Sequence, residues 1–135
     1  MTVRAATPAD LPLIRHIADV AYAPGYFEQP ASDAWVLGMI ASPKHLVLIG
    51  MRCWIAASVS AFPWAPSRLN GALLVAASLG HATGELLSMV RAAAKWAREL
   101  GAARFYLSAA TGVDFGGLAK RIGARLVSPT YVLEM

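Results

Sequence analysis

The sequence contains a single cysteine, Cys53, among its 135 residues. One thiol cannot form an internal disulfide, and it cannot build a zinc site that needs several cysteines. Charged residues are also scarce, at 15% against about 25% in typical domains, whereas hydrophobic residues reach 57%. We therefore expect Cys53 to be a small buried hydrophobe in a thick core, and an apolar surface that a homodimer can cover.

No stretch of the chain has the pattern of a membrane span or a signal peptide. The most apolar window, 47–65, is interrupted by an arginine and a proline, and the segment from Gly50 to Cys53 is better explained as the turn of a hairpin. The first twenty residues carry four charged side chains, unlike the apolar region of a signal peptide. We expect one cytoplasmic domain over residues 1–135 with no membrane partner.

Basic and acidic residues are unevenly distributed. Residues 1–42 contain two arginines and four acids, a net charge of −2, whereas the rest of the chain carries ten basic and four acidic residues, a net charge of +6. A field of this sign favours an anionic ligand. Nucleic acid is a further alternative, although no aromatic side chains interleave with the helical stripe of Arg91, Lys95 and Arg98.

Hydrophobic periodicity predicts ten secondary-structure elements, with Thr7 capping the first helix and Pro8 opening it. Strands are expected at 3–6, 46–49, 54–62, 73–79, 104–109 and 131–134. A loop is expected at 63–68, and helices at 7–23, 32–42, 85–100 and 115–122, with Gly101 ending the third. The order β-α-α-β-β-β-α-β-α-β predicts an α/β fold of the α+β type, a mixed sheet flanked by helices.

The loop Gly80-His81-Ala82-Thr83-Gly84 is the strongest indication of a ligand. It lies between the apolar run 71–79 and the amphipathic segment 85–100. A glycine-bearing turn that leaves a strand and opens a helix presents unpaired backbone N–H groups at the positive end of the helix dipole. Because such groups bind phosphates, the sequence predicts an anion site at this loop.

The element order, with a phosphate-type loop after the fourth strand, resembles the GNAT superfamily of acyl-CoA N-acyltransferases. Residues 3–12, Val-Arg-Ala-Ala-Thr-Pro-Ala-Asp-Leu-Pro, look like the first strand and helix of that family. Residues 84–102 look like its acyl-CoA loop and following helix, and residues 118–124, Leu-Ala-Lys-Arg-Ile-Gly-Ala, look like its closing helix. The resemblance spans nearly the whole chain. It implies a GNAT-like fold, acetyl-CoA as cosubstrate, an amine acceptor and no metal.

The resemblance places the cofactor at the end of the fourth strand and along the loop. The residues it implies for acetyl-CoA binding are Ala76, Leu79, Gly80, His81, Ala82, Thr83, Gly84 and Glu85. The family pattern is Arg/Gln-x-x-Gly-x-Gly/Ala. Aligned on Gly84, this chain has Leu79 at the first position and Ala82 in place of the middle glycine. The methyl group of Ala82 reduces the range of φ and ψ angles that the loop can adopt there, and Gly80 restores some of this backbone freedom.

The catalytic groups of the family are largely missing. The tyrosine that often protonates the leaving thiolate falls on Ala119, and the asparagine that many members use falls near Gly112. Most members place a glutamate base on the third or fourth strand, but no Asp or Glu occurs between Lys44 and Gly84. The resemblance therefore favours acyl-CoA binding more strongly than catalysis.

Two candidate catalytic residues remain. Glu28, together with Tyr26 and Phe27, lies in the loop between the first two helices, where the family binds its acceptor, and a carboxylate there can bind a cationic amine. Ser78 is a candidate for accepting a proton through water. Three functions follow as hypotheses. They are an acetyl-CoA-dependent N-acetyltransferase for an amine of unknown identity, a degenerate GNAT-fold binding module without catalysis, and a nucleic-acid-modifying acyltransferase.

Overall fold

In the part of the chain that the structure describes, a mixed five-stranded sheet lies at the centre of the fold. The computed structural model describes residues 3–21, 31–63, 65–80, 82–107, 116–126 and 133. The strands follow one another across the sheet in chain order: β1 Arg4–Ala5, β2 His45–Ile49, β3 Cys53–Phe62, β4 Ala65–Ser78 and β5 Arg104–Tyr106. Neighbouring strands are antiparallel except for β4 and β5, which are parallel.

In the described residues, helices connect the strands at two places, and a further helix follows β5. After a 3₁₀ turn at Pro8–Asp10, the helices are α1 Leu11–Val20, α2 Asp33–Ala41, α3 Thr83–Glu99 and α4 Gly116–Ile122. The helix α3 forms the crossover that joins the parallel strands β4 and β5. This order confirms the predicted elements as far as α4, and the strand expected at 131–134 falls outside the described residues apart from Leu133. None of the helices in the described ranges has the length and apolarity to cross a bilayer.

Apolar clusters cover both faces of the sheet, which confirms the predicted mixed sheet between helices. Alternate residues of β3 point to opposite faces, as the pleat requires. On the α3 side the buried cluster contains Leu48, Cys53, Ile55, Ala57, Leu73, Ala76, Leu86, Met89, Val90, Ala93 and Leu118. On the side of α1 and α2 it contains Ile14, Ile17, Ala18, Val36, Met39, Val47, Ile49, Trp54 and Ala56.

The strand β4 is longer than the sequence pattern predicts, and it carries a β-bulge. The loop expected at 63–68 is wrong from Ala65 onward, because these residues belong to β4 and extend a hairpin with β3. Ala57 pairs with Leu73 whereas Ala56 pairs with Val75, so one extra residue, Leu74, stands in β4. Strand pairing with β3 outweighs the turn-like composition of residues 65–70.

Asp10 ties the first strand to the start of α1. The Arg4 guanidinium donates hydrogen bonds of 2.7 Å and 2.6 Å to the two Asp10 carboxylate oxygens. The backbone N–H of Thr7 donates a third, of 2.8 Å, to Oδ2. These interactions, with Arg4 the largest contributor, hold the pKa of Asp10 well below its usual range.

This geometry makes the contribution of Asp10 to stability depend on pH. A carboxyl whose pKa is lower in the folded than in the unfolded chain stabilises the fold above the unfolded pKa of about 3.9, and that stabilisation is lost as the pH falls through the folded value. We expect Asp10→Asn to lower the free energy of unfolding by about 1 kcal/mol at pH 7 and by less in acid. Urea unfolding at a series of pH values measures the difference, and a pH-independent difference contradicts the assignment.

Candidate functional site

Among the described residues, β4 and β5 pair over three residues. The described pairing runs from Asn70 with Arg104 to Ala72 with Tyr106. The strand β4 continues to Ser78, paired over this stretch with β3 on its other edge. We call the region beside this edge of β4, at residues 73–78 beyond the described pairing with β5, the β4–β5 wedge. It leads directly to the loop that precedes α3, so the two features lie at the same end of the strand.

The direction of the β4 amides follows from the hydrogen bonds to β3. The Leu79 N–H donates to the Arg52 carbonyl at 2.7 Å, so it points toward β3. Because N–H groups along an antiparallel strand alternate between its two edges, the Ala77 N–H also points toward β3. The N–H groups of Ala76 and Ser78 therefore point toward the wedge.

The first turn of α3 leaves backbone donors without helical partners. The first hydrogen bond of the helix runs from the Leu86 N–H to the Ala82 carbonyl, at 2.9 Å. The N–H groups of Thr83, Gly84 and Glu85 consequently have no acceptor inside the helix. A Cβ atom placed on Gly84 meets no atom of the described residues within 4 Å, so none of these residues fills the space beside this turn. This is the positive end of a 17-residue helix.

Gly80 turns the chain between β4 and α3. Its φ of +65° lies in the left-handed region, which confirms that this glycine supplies backbone freedom that most residues lack. The Ser78 hydroxyl donates a 3.0 Å hydrogen bond to the Gly80 carbonyl. The Arg52 guanidinium approaches from the β2–β3 turn, with Nη2 3.1 Å from the position that a Gly80 Cβ would occupy.

Glu85 fastens the start of α3 to the turn between β2 and β3. Its Oε1 accepts the N–H groups of Arg52 and Cys53, each at 2.8 Å, and its side chain is buried. A Cβ on Gly50 would stand 2.3 Å from the same oxygen, so only glycine leaves room for the carboxylate. The Glu85 side chain is therefore engaged within the protein through Oε1, and its backbone N–H is left for a ligand.

Cys53 lies beneath this contact as a buried free thiol, as expected from the sequence. Burial raises the pKa of Cys53, and the neighbouring Glu85 carboxylate acts in the same direction. The Sγ atom lies 3.8 Å from the Ala82 carbonyl oxygen, to which it donates. Because the thiolate is the reactive form, a protonated and buried thiol is unsuited to act as a nucleophile.

The remaining sequence-predicted residues are divided between described and undescribed parts of the chain. Ala76 is buried beneath α3, and the Leu79 side chain packs on the α1–α2 side of the sheet. Ala119 lies half-buried on α4. The residues that fall outside the described ranges are Tyr26, Phe27, Glu28, His81 and Gly112. Within those ranges, no three His, Cys, Asp or Glu side chains cluster in a way that would hold a metal ion.

The same architecture occurs in solved structures. An aminoglycoside 6′-N-acetyltransferase from Acinetobacter haemolyticus matches with a TM-score of 0.73 and 16% identity, over 100% of this chain and 98% of that one. The chain has the GNAT fold. A transcriptional regulator from Bacillus halodurans matches this GNAT-fold protein with a TM-score of 0.77 and 13% identity, over 99% of each chain. An aminoglycoside acetyltransferase from an uncultured soil metagenomic sample, solved with sisomicin, matches with a TM-score of 0.66 and 12% identity. The match covers 98% of this chain and 96% of that one.

These matches confirm the predicted fold class, and at such low identity they describe the backbone rather than the side chains. No protein-family model matches the chain, and no curated protein sequence matches it either. The chemistry of this GNAT-fold protein must therefore be argued from its own residues.

Proposed function

We propose that this GNAT-fold protein binds acetyl-CoA in the β4–β5 wedge and transfers the acetyl group to an amine. One observation carries the proposal: the wedge and the open first turn of α3 meet at the same end of β4. Acetyl-CoA joins a pyrophosphate to an extended arm that contains two amide groups and ends in a thioester. The extended arm matches the wedge beside β4, and the pyrophosphate matches the first turn of α3, which follows β4 in the chain.

The first turn of α3 fits the pyrophosphate. The backbone N–H groups of Thr83, Gly84 and Glu85 lack helical acceptors, and the helix dipole favours an anion at this end. We assign Gly80, His81 and Ala82 to the same cradle. Leu79 supports it from the strand side, since its own N–H is bonded to Arg52.

The edge of β4 that faces the wedge fits the extended arm. The N–H groups of Ala76 and Ser78 point toward this edge, and an amide-bearing chain can bond to them as a further strand would. Acetyl-CoA supplies the acetyl group in an activated thioester. Backbone donors fixed by a strand stabilise negative charge on a carbonyl oxygen that lies against them, with no reorganisation of the protein.

The acceptor is assigned by class. Two of the structural neighbours are aminoglycoside acetyltransferases, whose substrates carry several amines. Glu28, with Tyr26 and Phe27, remains our prediction for binding the cationic acceptor. The amine must lose a proton before it reacts. Ser78 remains our prediction for receiving this proton through water, because its hydroxyl, which donates to the Gly80 carbonyl, can accept a hydrogen bond from the water that carries the proton away. We further propose that residues 1–135 act as one domain in the cytoplasm.

A binding module without catalysis is the second candidate. The observation that favours it is Ala119, which stands on α4 where the resemblance places the tyrosine that protonates the leaving thiolate. One of the structural neighbours is a transcriptional regulator, which shows that the fold is not confined to proteins named as enzymes. Release of free thiol from acetyl-CoA in the presence of a panel of aminoglycosides and polyamines separates the two candidates, because a binding module gives none above the protein-free rate.

The loop assignment predicts that Gly84→Glu impairs acetyl-CoA binding while the fold is preserved. Among the described residues, no atom lies within 4 Å of a Cβ at this position, and an acid in the first turn interacts favourably with the helix dipole. The same negative charge repels a phosphate. We expect the dissociation constant for acetyl-CoA, measured by titration calorimetry, to rise at least about tenfold, with no loss in thermal stability.

Gly38→Glu is the matched control. Gly38 lies in α2, and a Cβ there likewise meets no described atom within 4 Å, so the charge change is the same at a distance from the loop. Its affinity for acetyl-CoA should equal that of the wild type. If the wild type fails to bind acetyl-CoA at millimolar concentration, the proposed function is wrong. If Gly84→Glu binds as the wild type does, the cofactor does not use this turn.

A further inference from the structure

Within the described part of the chain, a cation without an acidic partner stands beside the loop. Arg52 occupies the turn between β2 and β3, and its Nη2 lies next to Gly80. The ion pairs formed among the described residues involve Arg4 and Arg15, not Arg52. Glu85, which binds the Arg52 backbone N–H, has its Oε1 occupied by main-chain donors. The Arg52 side chain is exposed and thus accessible to a ligand.

The backbone of Arg52 is held from both sides. Its N–H donates to Glu85 at the start of α3, at 2.8 Å, and its carbonyl accepts from Leu79 at the end of β4, at 2.7 Å. The two contacts flank the loop, so the origin of the side chain is fixed relative to both ends of the loop. A guanidinium positioned in this way loses less freedom when it binds an anion than one on an unanchored turn.

The local charge balance calls for such a cation. The Glu85 carboxylate is buried in the first turn of α3, where it offsets part of the positive potential that the helix dipole supplies. Leu79 offers no polar side chain at the first position of the loop. A pyrophosphate carries two negative charges, and the planar guanidinium binds phosphate oxygens in a bidentate manner.

We propose that Arg52 binds the pyrophosphate of acetyl-CoA from the β2–β3 turn and replaces the polar side chain that Leu79 lacks. This inference rests on the proposed function, since it concerns the same cofactor. It also gives Gly80 a second role, because a side chain there would occupy the space that the guanidinium uses to reach the loop. Arg52 is a binding residue, and no proton transfer is assigned to it.

The test compares Arg52→Ala with Arg68→Ala in titration calorimetry against three compounds. Arg68 is an exposed arginine near the opposite end of β4, so its removal makes the same change in net charge. The compounds are acetyl-CoA, its dephospho form without the 3′-phosphate, and S-acetylpantetheine, which has no phosphate. We expect Arg52→Ala to weaken binding of the first two about tenfold, the loss typical of a charge-assisted hydrogen bond, and to leave the third unchanged.

The controls separate this contact from other causes. Arg68→Ala should change each affinity by no more than about twofold, as exposed charges do. Arg52→Lys should recover part of the lost affinity, because it keeps the charge and loses the bidentate geometry. The urea midpoint of Arg52→Ala should match that of the wild type, since the contacts with Glu85 and Leu79 use only main-chain atoms of Arg52.

Each contrary outcome has a distinct meaning. Wild-type affinity of Arg52→Ala for acetyl-CoA overturns the inference and leaves the proposed function intact. A loss confined to acetyl-CoA and absent with the dephospho form assigns Arg52 to the 3′-phosphate and also overturns it. An equal loss of affinity for S-acetylpantetheine shows a general disturbance of the site, and this result also overturns the inference. If the wild type binds none of the three compounds, the proposed function itself fails.

Discussion

Glu85→Ala should lower the free energy of unfolding by about 3 kcal/mol, a large effect for a single substitution. The carboxylate accepts two backbone hydrogen bonds from the β2–β3 turn, and the Cys53 N–H is buried. Alanine leaves both donors without their acceptor and detaches the turn from α3. Urea denaturation followed by circular dichroism measures the loss.

Two comparisons show whether the loss comes from this contact. Glu99→Ala removes an exposed acid at the other end of α3 and should cost less than about 0.5 kcal/mol. Gly50→Ala should also destabilise the wild type, because its Cβ would stand 2.3 Å from the Glu85 oxygen. In the Glu85→Ala background the same methyl group has room, so the two losses should be far from additive. Additive losses would show that the groups do not interact.

Gly71→Ala should lower the free energy of unfolding by about 2 kcal/mol, the usual range for an overpacked site. A Cβ at this position would lie 2.5 Å from Phe105 Cδ2 and 2.9 Å from Ala97 Cβ. Gly71 pairs with Phe105 in the described part of the β4–β5 pairing, so the added methyl group pushes on both β5 and α3. We therefore also expect weaker acetyl-CoA binding in calorimetry.

Gly117→Ala supplies the control for Gly71. It adds the same methyl group to α4, where no atom of the described ranges lies within 4 Å, and alanine is a better helix former than glycine. Its free energy of unfolding should equal or exceed that of the wild type. If Gly71→Ala is as stable as Gly117→Ala, the close packing of α3 against β4 and β5 does not limit stability.

Local sequence patterns predicted a helix or strand well where its ends depend on residues within or next to that element. The amphipathic stripe of α3 and the turn at Gly101, with a φ of +94°, were both predictable from neighbouring residues. The beginning of β4 was not, because residues 65–70 join the sheet through their pairing with β3. The bulge at Leu74 was equally hidden, since an apolar run shows no break in alternation when both faces are covered.

The candidate site could be predicted from the sequence only in part, because some of its contacts join residues that are far apart in the chain. The loop at 80–84 is recognisable by its glycines and by its place between a strand and a helix. The role of the Glu85 side chain depends on a turn more than thirty residues earlier in the chain, which no local pattern reveals. No local pattern marks Arg52, our proposed phosphate ligand, because a lone arginine in a hairpin turn is an ordinary solvent-exposed residue.

The contact between Gly50 and Glu85 also constrains how this sequence can diverge. A larger residue at 50 collides with the carboxylate, and loss of the carboxylate leaves the turn amides unpaired. A first substitution at either position lowers the stability of the fold. A larger residue at 50 is therefore tolerated only after the acid at 85 has been lost. Among descendants of this chain, we expect the two positions to be inherited as a pair.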